Sequence, residues 1–299
     1  MIHTRTGFIP FLLFLCALAV CPAAAQKLNL ENPDDVVRAN RKIYASLEDG
    51  KPTVYFWEGK IYGRVQGERD KLLFTYVGMN IRTSKTVSDE KGYGFRMFSR
   101  ELLLYMDPKT GEVIDTWKNP YTGREVEVVH VSNDPVNHTM RARSSRGDAS
   151  WGGNHRGNVG WLTIEIPLFY PNPLGGPNQK YVGGYYKAME MFNFFFPMDQ
   201  LLDANTSEVT DASISWTRLS QWLPWMEMGS RPGEMIYHGA GKRLSLGEDL
   251  PKSLLDRIKS HYPAWREPPP LDDQRRNVTS WSFYKKYLNE KAASDKQEN

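Results

Sequence analysis

The segment HVSNDPVNH, residues 130–138, brings two histidines and one aspartate together within nine residues. Imidazole and carboxylate groups transfer protons and bind metal ions, so this segment is a candidate site for acid–base or metal chemistry. Pro135 excludes a ligand stripe along one helix face, because its ring moves Asp134 out of the helical region. His130, Asp134 and His138 therefore remain as candidate catalytic residues that a turn between strands would have to bring together.

The alternation of strand residues predicts a direction for His130. Val126 and Val128 lie on the same strand face, which places the histidine on the inward side. An inward histidine beside an aspartate is a candidate general base whose tautomer the carboxylate sets. Two other interpretations stay open: a metal site, and a buried histidine bonded to the backbone while Asp134 caps the turn.

Aromatic and polar side chains recur together on single faces of the predicted strands. Tyr76 shares a face with Asn80, for example, and Trp161 shares one with Glu165. If such faces line the interior of a barrel, they form a cavity with aromatic walls and a few polar groups, as in many small-molecule sites. The alternative is ordinary packing between sheet and helices. The residues predicted to bind substrate are Tyr62, Tyr76, Arg96, Trp161, Glu165 and His238.

The candidate residues lie on predicted strands or between them, and one predicted helix precedes these strands. Asn32 is followed by Pro33 and two acidic residues, which is the pattern of a helix N-terminus. Over residues 53–131 the apolar period is two and turn residues interrupt it repeatedly, which predicts an antiparallel meander. Several of these strands are apolar on both faces, as in a closed barrel or a covered sheet. Another helix is predicted to begin at Pro251.

The later part of the chain mixes loops and strands. Residues 147–184 are rich in glycine, proline and asparagine, interrupted by one strand-like run at 159–166. Two further long strands are predicted, one within 208–228 and one at 234–244. These patterns predict a mainly β fold, an antiparallel β-barrel-like domain with an N-terminal helix and a late C-terminal helix.

Residues 1–25 have the layout of a secretory signal peptide. They contain Arg5, a long apolar run and three alanines at the end, so cleavage is predicted after Ala25. Both cysteines, Cys16 and Cys21, lie inside this peptide. The mature chain is therefore predicted to have no disulfide, no thiolate metal site and no cysteine nucleophile. The predicted location is the periplasm or the outside of the cell.

The remaining chain has the size of one large domain. A single domain is predicted over residues 26–290, and the polar tail 291–299 is predicted to be disordered. The net charge of the full sequence is +3, and its basic residues are scattered, which argues against a nucleic-acid partner. No apolar stretch after the signal peptide approaches the roughly 18 residues of a membrane span.

One long block occupies residues 99–138 and reads SRELLLYMDPKTGEVIDTWKNPYTGREVEVVHVSNDPVNH. It resembles the signature of a bacterial and fungal family known as domain of unknown function 1838. The preceding YFWEGKIYGRV and the later SWTRLSQWLPWMEMG extend the resemblance over most of the mature chain. The resemblance implies no established activity. It does imply a likeness to lipocalin-like barrels, which enclose hydrophobic ligands and include cofactor-free cyclising and eliminating enzymes, an analogy of fold alone.

Three functions are consistent with these patterns. The first is a cofactor-free lyase or isomerase that acts on an apolar aromatic or polycyclic compound. In it His130 would move a proton and Asp134 would orient the ring, while Tyr62, Tyr76 or Arg96 would stabilise negative charge. The second is a carrier with the same cavity, and the third is a structural envelope protein whose interior is filled by side chains. No cofactor and no metal are predicted, and the predicted partner is a small hydrophobic molecule.

Overall fold

The computed structural model describes residues 26–174, 184–229, 231–245 and 250–297. The predicted signal peptide and its cleavage site lie outside the described residues, as do the last two residues of the predicted tail. In the part of the chain that the structure describes, no helix is long and apolar enough to cross a membrane.

The described chain is mainly β, as predicted, and most of its strands form one antiparallel sheet. Ten strands join in the order β10-β11-β12-β13-β14-β1-β2-β3-β6, with β7 also paired to β3, while β4-β5 and β8-β9 are separate hairpins. In chain order the strands are β1 Thr53–Arg64, β2 Lys71–Thr86, β3 Gly94–Met106, β4 Thr116–Lys118, β5 Glu125–Glu127, β6 Val131–Asn133, β7 His138–Arg141, β8 Arg143–Ser144, β9 Gly147–Asp148, β10 Asn154–Arg156, β11 Val159–Pro171, β12 Tyr185–Pro197, β13 Ser213–Ser220 and β14 Glu234–Leu244.

In the described residues, four α-helices and two short 3-10 helices surround the sheet. The 3-10 helices span Pro224–Met226 and Pro263–Arg266. The stretch 147–184, predicted to be loop-dominated with a strand-like run at 159–166, contains the whole of the longer strand β11. The α-helices are α1 Pro33–Tyr44, α2 Met198–Leu202, α3 Lys252–Ser260 and α4 Ser280–Gln297.

The sheet curls strongly but is not closed into a barrel, which corrects the barrel-like part of the predicted fold. Tyr76 on β2 and Trp216 on β13 lie three strand positions apart, about 14 Å in a flat sheet. Their ring centroids are nevertheless only 5.9 Å apart. Likewise the hydroxyl oxygens of Tyr105 on β3 and Tyr237 on β14 approach to 3.4 Å. Curling therefore brings side chains of distant strands together on one face.

We call this inner side the concave face, and the strand registers define its members. Residues directly paired across neighbouring strands point to the same side of a sheet. The concave face comprises Tyr55, Trp57, Gly59 and Ile61 of β1, Phe74, Tyr76, Gly78 and Asn80 of β2, Glu101, Leu103 and Tyr105 of β3, Glu190 and Phe192 of β12, Trp216 and Arg218 of β13, and Tyr237 and Gly239 of β14.

The opposite, outer face is covered in part by α3. Leu254 and Ile258 of this helix are buried against Val77 and Met79 of β2. This cover explains why β2 is apolar on both faces, because neither side of it meets water. The helix predicted from Pro251 is therefore confirmed, and it begins one residue later.

Helix α1 closes one end of the concave face. Its N-cap is Asn32, whose side chain accepts a hydrogen bond from the backbone N–H of Asp34, and Pro33 is its first residue, as predicted. The hydroxyl of Tyr55 donates to the carbonyl oxygen of Ile43 at 2.6 Å and so ties the helix to β1. The other end of the face is filled by Trp225 of the first 3-10 helix.

A C-terminal segment, residues 270–284, holds the open sheet together from one side. The backbone N–H of Val278 donates to the carbonyl oxygen of Pro135 at 2.9 Å, immediately after edge strand β6. Asn277 accepts from the backbone N–H of Asn137 at 2.7 Å and donates to its carbonyl oxygen at 2.8 Å. The segment is thereby fixed to the β6 end of the sheet.

The same segment reaches the hairpin β11–β12 with its next turn. The ring of Trp281 lies 4.6 Å from that of Tyr186 on β12, and both pack against Leu174. The segment therefore connects two parts of the sheet that no strand ladder joins in the described chain. Helix α4 then continues to Gln297, through positions whose composition predicts disorder.

Candidate functional site

The structure places His130 in a buried position, with a side chain only 5% exposed. Its Nδ1 atom accepts a hydrogen bond from the backbone N–H of Tyr105 at 3.1 Å, so the neutral ring carries its proton on Nε2. Nε2 lies 3.8 Å from the nearest carboxylate oxygen, on Asp115. Burial, helped by the charge of Arg257, lowers the pKa of His130 to about 4. Its one basic nitrogen is thus already occupied by the backbone.

The other two members of the candidate triad have different partners. Asp134 forms ion pairs with Arg100 at 3.0 Å and with Arg275 of the C-terminal segment at 2.8 Å. His138 lies in β7, paired with Met97 of β3. In the described chain no hydrogen bond joins His130, Asp134 and His138. The segment 130–138 is a corner on which the C-terminal segment docks.

A small cavity borders His130. It has room for about one water molecule, so it is too small for a substrate. Its walls are formed mainly by Tyr105 and Trp225 on one side and by Trp281 and Tyr284 of α4 on the other.

The predicted substrate-binding residues that were expected to share a strand face do so. Five of the six, however, lie on the outer face of the sheet rather than on the concave face. Tyr76 lies on the concave face. On β11, Leu162 packs in the core with Phe194. Because successive strand residues point to opposite faces, Trp161 and Glu165 point outward. Alternation tells which residues share a face but not which face turns inward. The residues on the outer face are Tyr62, Arg96, Trp161, Glu165 and His238.

The centre of the concave face is built around strand glycines. A Cβ atom on Gly239 would lie 2.1 Å from the hydroxyl of Tyr76, and one on Gly59 would lie 2.8 Å from it. A Cβ on Gly78 would lie 3.0 Å from the indole nitrogen of Trp57. These glycines let the two rings lie directly on the backbone. Glycine inside a strand pattern is the sequence signal that could have located this region.

Three hydrogen-bond donors in this region have no acceptor among the described residues: the Tyr76 hydroxyl and the indole nitrogens of Trp57 and Trp216. The ring of Trp216 lies 6.4 Å from that of Trp57 and 5.9 Å from that of Tyr76. Burial raises the pKa of Tyr76 well above its usual range, so its hydroxyl stays a donor. Buried polar groups are nearly always bonded, so three unbonded donors together make this part of the concave face a candidate binding site.

An ionic network lies on the same face, and the sequence did not point to it. A nitrogen of the Arg218 guanidinium lies 3.2 Å from a carboxylate oxygen of Glu190. Arg218 also donates to the hydroxyl of Tyr186, and its guanidinium lies 5.6 Å above the ring of Tyr237. Arg218 therefore joins β12, β13 and β14 through charge and ring contacts.

Glu101 of β3 forms the opposite side of this network. Its two carboxylate oxygens accept hydrogen bonds from the side-chain amides of Asn80 at 3.4 Å and Asn133 at 3.3 Å. Burial and the negative charge of Glu190 raise the pKa of Glu101, against the opposing effects of the amides and of Arg82. A carboxyl group whose pKa is raised in this way is a candidate for proton transfer.

The fold and this site can be set beside known proteins. No curated protein sequence matches the chain. A family profile described as "protein of unknown function (DUF1838)" matches residues 50–288, from just before β1 into α4. Because the match covers most of the sequence, the chain belongs to the DUF1838 family.

Proposed function

We propose that the concave face binds one small, largely apolar, aromatic or polycyclic molecule that presents a hydrogen-bond acceptor such as a carbonyl group. The observation that carries this proposal is the set of three buried donors without acceptors, formed by Tyr76, Trp57 and Trp216. The proposal includes a lipocalin-like use of the sheet, in which the strands enclose the ligand. It also places the protein in the periplasm or outside the cell, as the signal-peptide layout predicts.

The chemistry of the surrounding walls supports an aromatic ligand. The three donors lie among rings that meet edge to face or stacked, including Phe192 against Trp216 at 6.2 Å. Such walls bind flat apolar molecules through area and ring contacts, while a few polar groups fix the orientation. A carbonyl oxygen can accept from one or two of the three donors, whereas a molecule without an acceptor leaves them unbonded, and each neutral hydrogen bond is worth about 1 kcal/mol net. The site therefore favours ketones over hydrocarbons of the same shape.

A pair of bicyclic probes tests the proposal, since 2-tetralone has a carbonyl group and tetralin does not. We expect the wild-type protein to bind 2-tetralone about tenfold more tightly than tetralin, as measured by quenching of tryptophan fluorescence. Tyr76→Phe removes one donor and keeps the ring. It should weaken 2-tetralone binding about fivefold and leave tetralin binding within about twofold, because one neutral hydrogen bond is worth about 1 kcal/mol.

The matched control is Tyr185→Phe, since Tyr185 is 52% exposed on the hairpin β11–β12. It should bind both probes as the wild type does. Equal affinities of the wild type for the two probes would contradict the role of the three donors. If neither probe binds, side chains fill the concave face and the structural alternative is favoured instead.

A further inference from the structure

The Glu101 carboxyl group and one of the unbonded donors, the Trp57 indole, lie in neighbouring rows of the concave face. Glu101 pairs with Asn80, whereas Leu103, two residues along the same face, pairs with Gly78. The indole nitrogen of Trp57 lies directly over Gly78. Two residues along a strand span about 6.8 Å, a distance that one carbonyl group and its neighbouring carbon can bridge between a donor on oxygen and a base at carbon.

A fourth unbonded polar atom lies beside this carboxyl group. Asn133 is only 7% exposed, and its side-chain nitrogen donates to Glu101. Its side-chain oxygen is buried and has no donor among the described residues. Asn133 therefore holds the carboxyl group in place while leaving an acceptor open to a molecule from outside the protein.

The charges around Glu101 favour its taking up a proton. Glu190 faces it from β12 and Arg82 from β2, while α1 approaches β3 at the end of the face. Burial and the charge of Glu190 outweigh Arg82 and the two amides, so the pKa of Glu101 is raised. A carboxylate with a raised pKa is a stronger base, and its proton transfer is more effective near neutral pH.

We infer that Glu101 is a catalytic residue that removes and returns a proton at the carbon next to the carbonyl group of the bound molecule. This inference rests on the proposed function, because the molecule must bind with its carbonyl oxygen toward Trp57, one of the three donors. It places the chain among enzymes that isomerise or eliminate by way of an enolate.

The step balances without a further reactant. One carboxylate oxygen of Glu101 takes the hydrogen on the neighbouring carbon as a proton, and the C–H electron pair becomes a carbon–carbon double bond. The carbonyl electron pair moves onto oxygen, where the Trp57 indole donates a hydrogen bond to the negative charge. Return of a proton from Glu101 to carbon restores the ketone and the carboxylate, and in D2O a deuteron returns instead once the carboxyl proton has exchanged with solvent.

The test follows exchange of the 2-tetralone hydrogens next to the carbonyl for deuterium in D2O, by proton NMR. We expect the wild type to exchange them about 100-fold faster than Glu101→Gln, within the usual range for one acid–base group. The amide keeps the shape and one acceptor oxygen, so one of the two asparagine donors keeps its acceptor. Glu101→Asp retains a carboxyl group and should recover part of the rate. The matched control is Glu58→Gln on the exposed outer face of β1, which should exchange as the wild type does.

Binding of 2-tetralone, measured on the same samples, separates the possible outcomes. Retained binding with lost exchange in Glu101→Gln supports the inference. If Glu101→Gln binds the ketone and exchanges its hydrogens at the wild-type rate, Glu101 is not the proton-transfer group, although the binding proposal stands. If the wild type does not bind the ketone, the proposed function fails and this inference fails with it. Circular dichroism checks that each variant is folded, and Glu101→Asp provides the comparison if the amide is not.

Discussion

Replacing Trp281 by alanine is expected to lower the free energy of unfolding by about 3–5 kcal/mol, the usual cost of removing a large buried aromatic side chain. Trp281 is 1% exposed and is the main apolar contact between the C-terminal segment and the hairpin β11–β12. Its loss leaves a void beside Tyr186 that neighbouring side chains fill only in part. Urea unfolding followed by circular dichroism measures the change.

The control for this substitution is Phe169→Ala on the same hairpin. Phe169 is 64% exposed, so its removal should change the free energy of unfolding by less than about 1 kcal/mol. Trypsin should also cleave after the exposed residues Arg275 and Arg276 faster in Trp281→Ala than in the wild type. If Trp281→Ala unfolds at the wild-type urea concentration and its C-terminal segment stays protected, the segment does not hold the sheet together.

Acidification should destabilise the protein through His130. The pKa of this ring is about 4 in the folded protein, below the usual 6.5, so the unfolded chain binds the proton first. The stability contributed by the neutral ring is complete above pH 6.5 and is lost as the pH falls toward 4. From these values we expect His130 to account for a loss of about 3 kcal/mol between pH 7 and pH 4.

The comparison of His130→Asn with the wild type isolates this effect. The asparagine oxygen can accept from the backbone N–H of Tyr105, as the ring nitrogen does, but it does not titrate. The free energy of unfolding of the variant should therefore fall about 3 kcal/mol less over this pH range. His155→Asn, at an exposed position in β10, serves as the control and should follow the wild type. Parallel pH curves for His130→Asn and the wild type would contradict the buried, neutral state of the ring.

The sequence predicted well those features of helices and strands that depend mainly on neighbouring residues. The N-cap at Asn32 was visible because capping involves neighbouring residues only. Strand β14 has the predicted bounds, since its alternation is clean and glycines and polar residues flank it. The buried position of His130 also followed from alternation with Val126 and Val128.

The elements that the sequence did not predict depend on contacts between distant parts of the chain. Strand β12 contains the run FNFFF, whose aromatic residues do not alternate with polar ones, because the hairpin β11–β12 is partly covered on both faces. Helix α4 has a weak pattern, and its first turn is fixed by Trp281 against Tyr186 rather than by a continuous apolar stripe. Neither contact is visible in a short window of sequence.

The candidate site was predicted only in part for a related reason. Tyr76 was identified because aromatic residues in strands are easy to notice. Glu101, Glu190 and Arg218 come from three different strands, and only the curl of the sheet brings the first of them toward the other two. The sequence shows each of them as a charged residue in an apolar strand, a pattern also typical of ordinary ion pairs.

Because the sheet is open, the strands alone do not set the width of its concave side. In a closed barrel the number of strands and their stagger set the internal diameter. Here the C-terminal segment connects the β6 end to the hairpin β11–β12, so the diameter also depends on the volume of the side chains at that contact, Trp281 and Tyr186. We therefore expect exchanges between aromatic side chains of different volume at these two positions to change the width of the concave side.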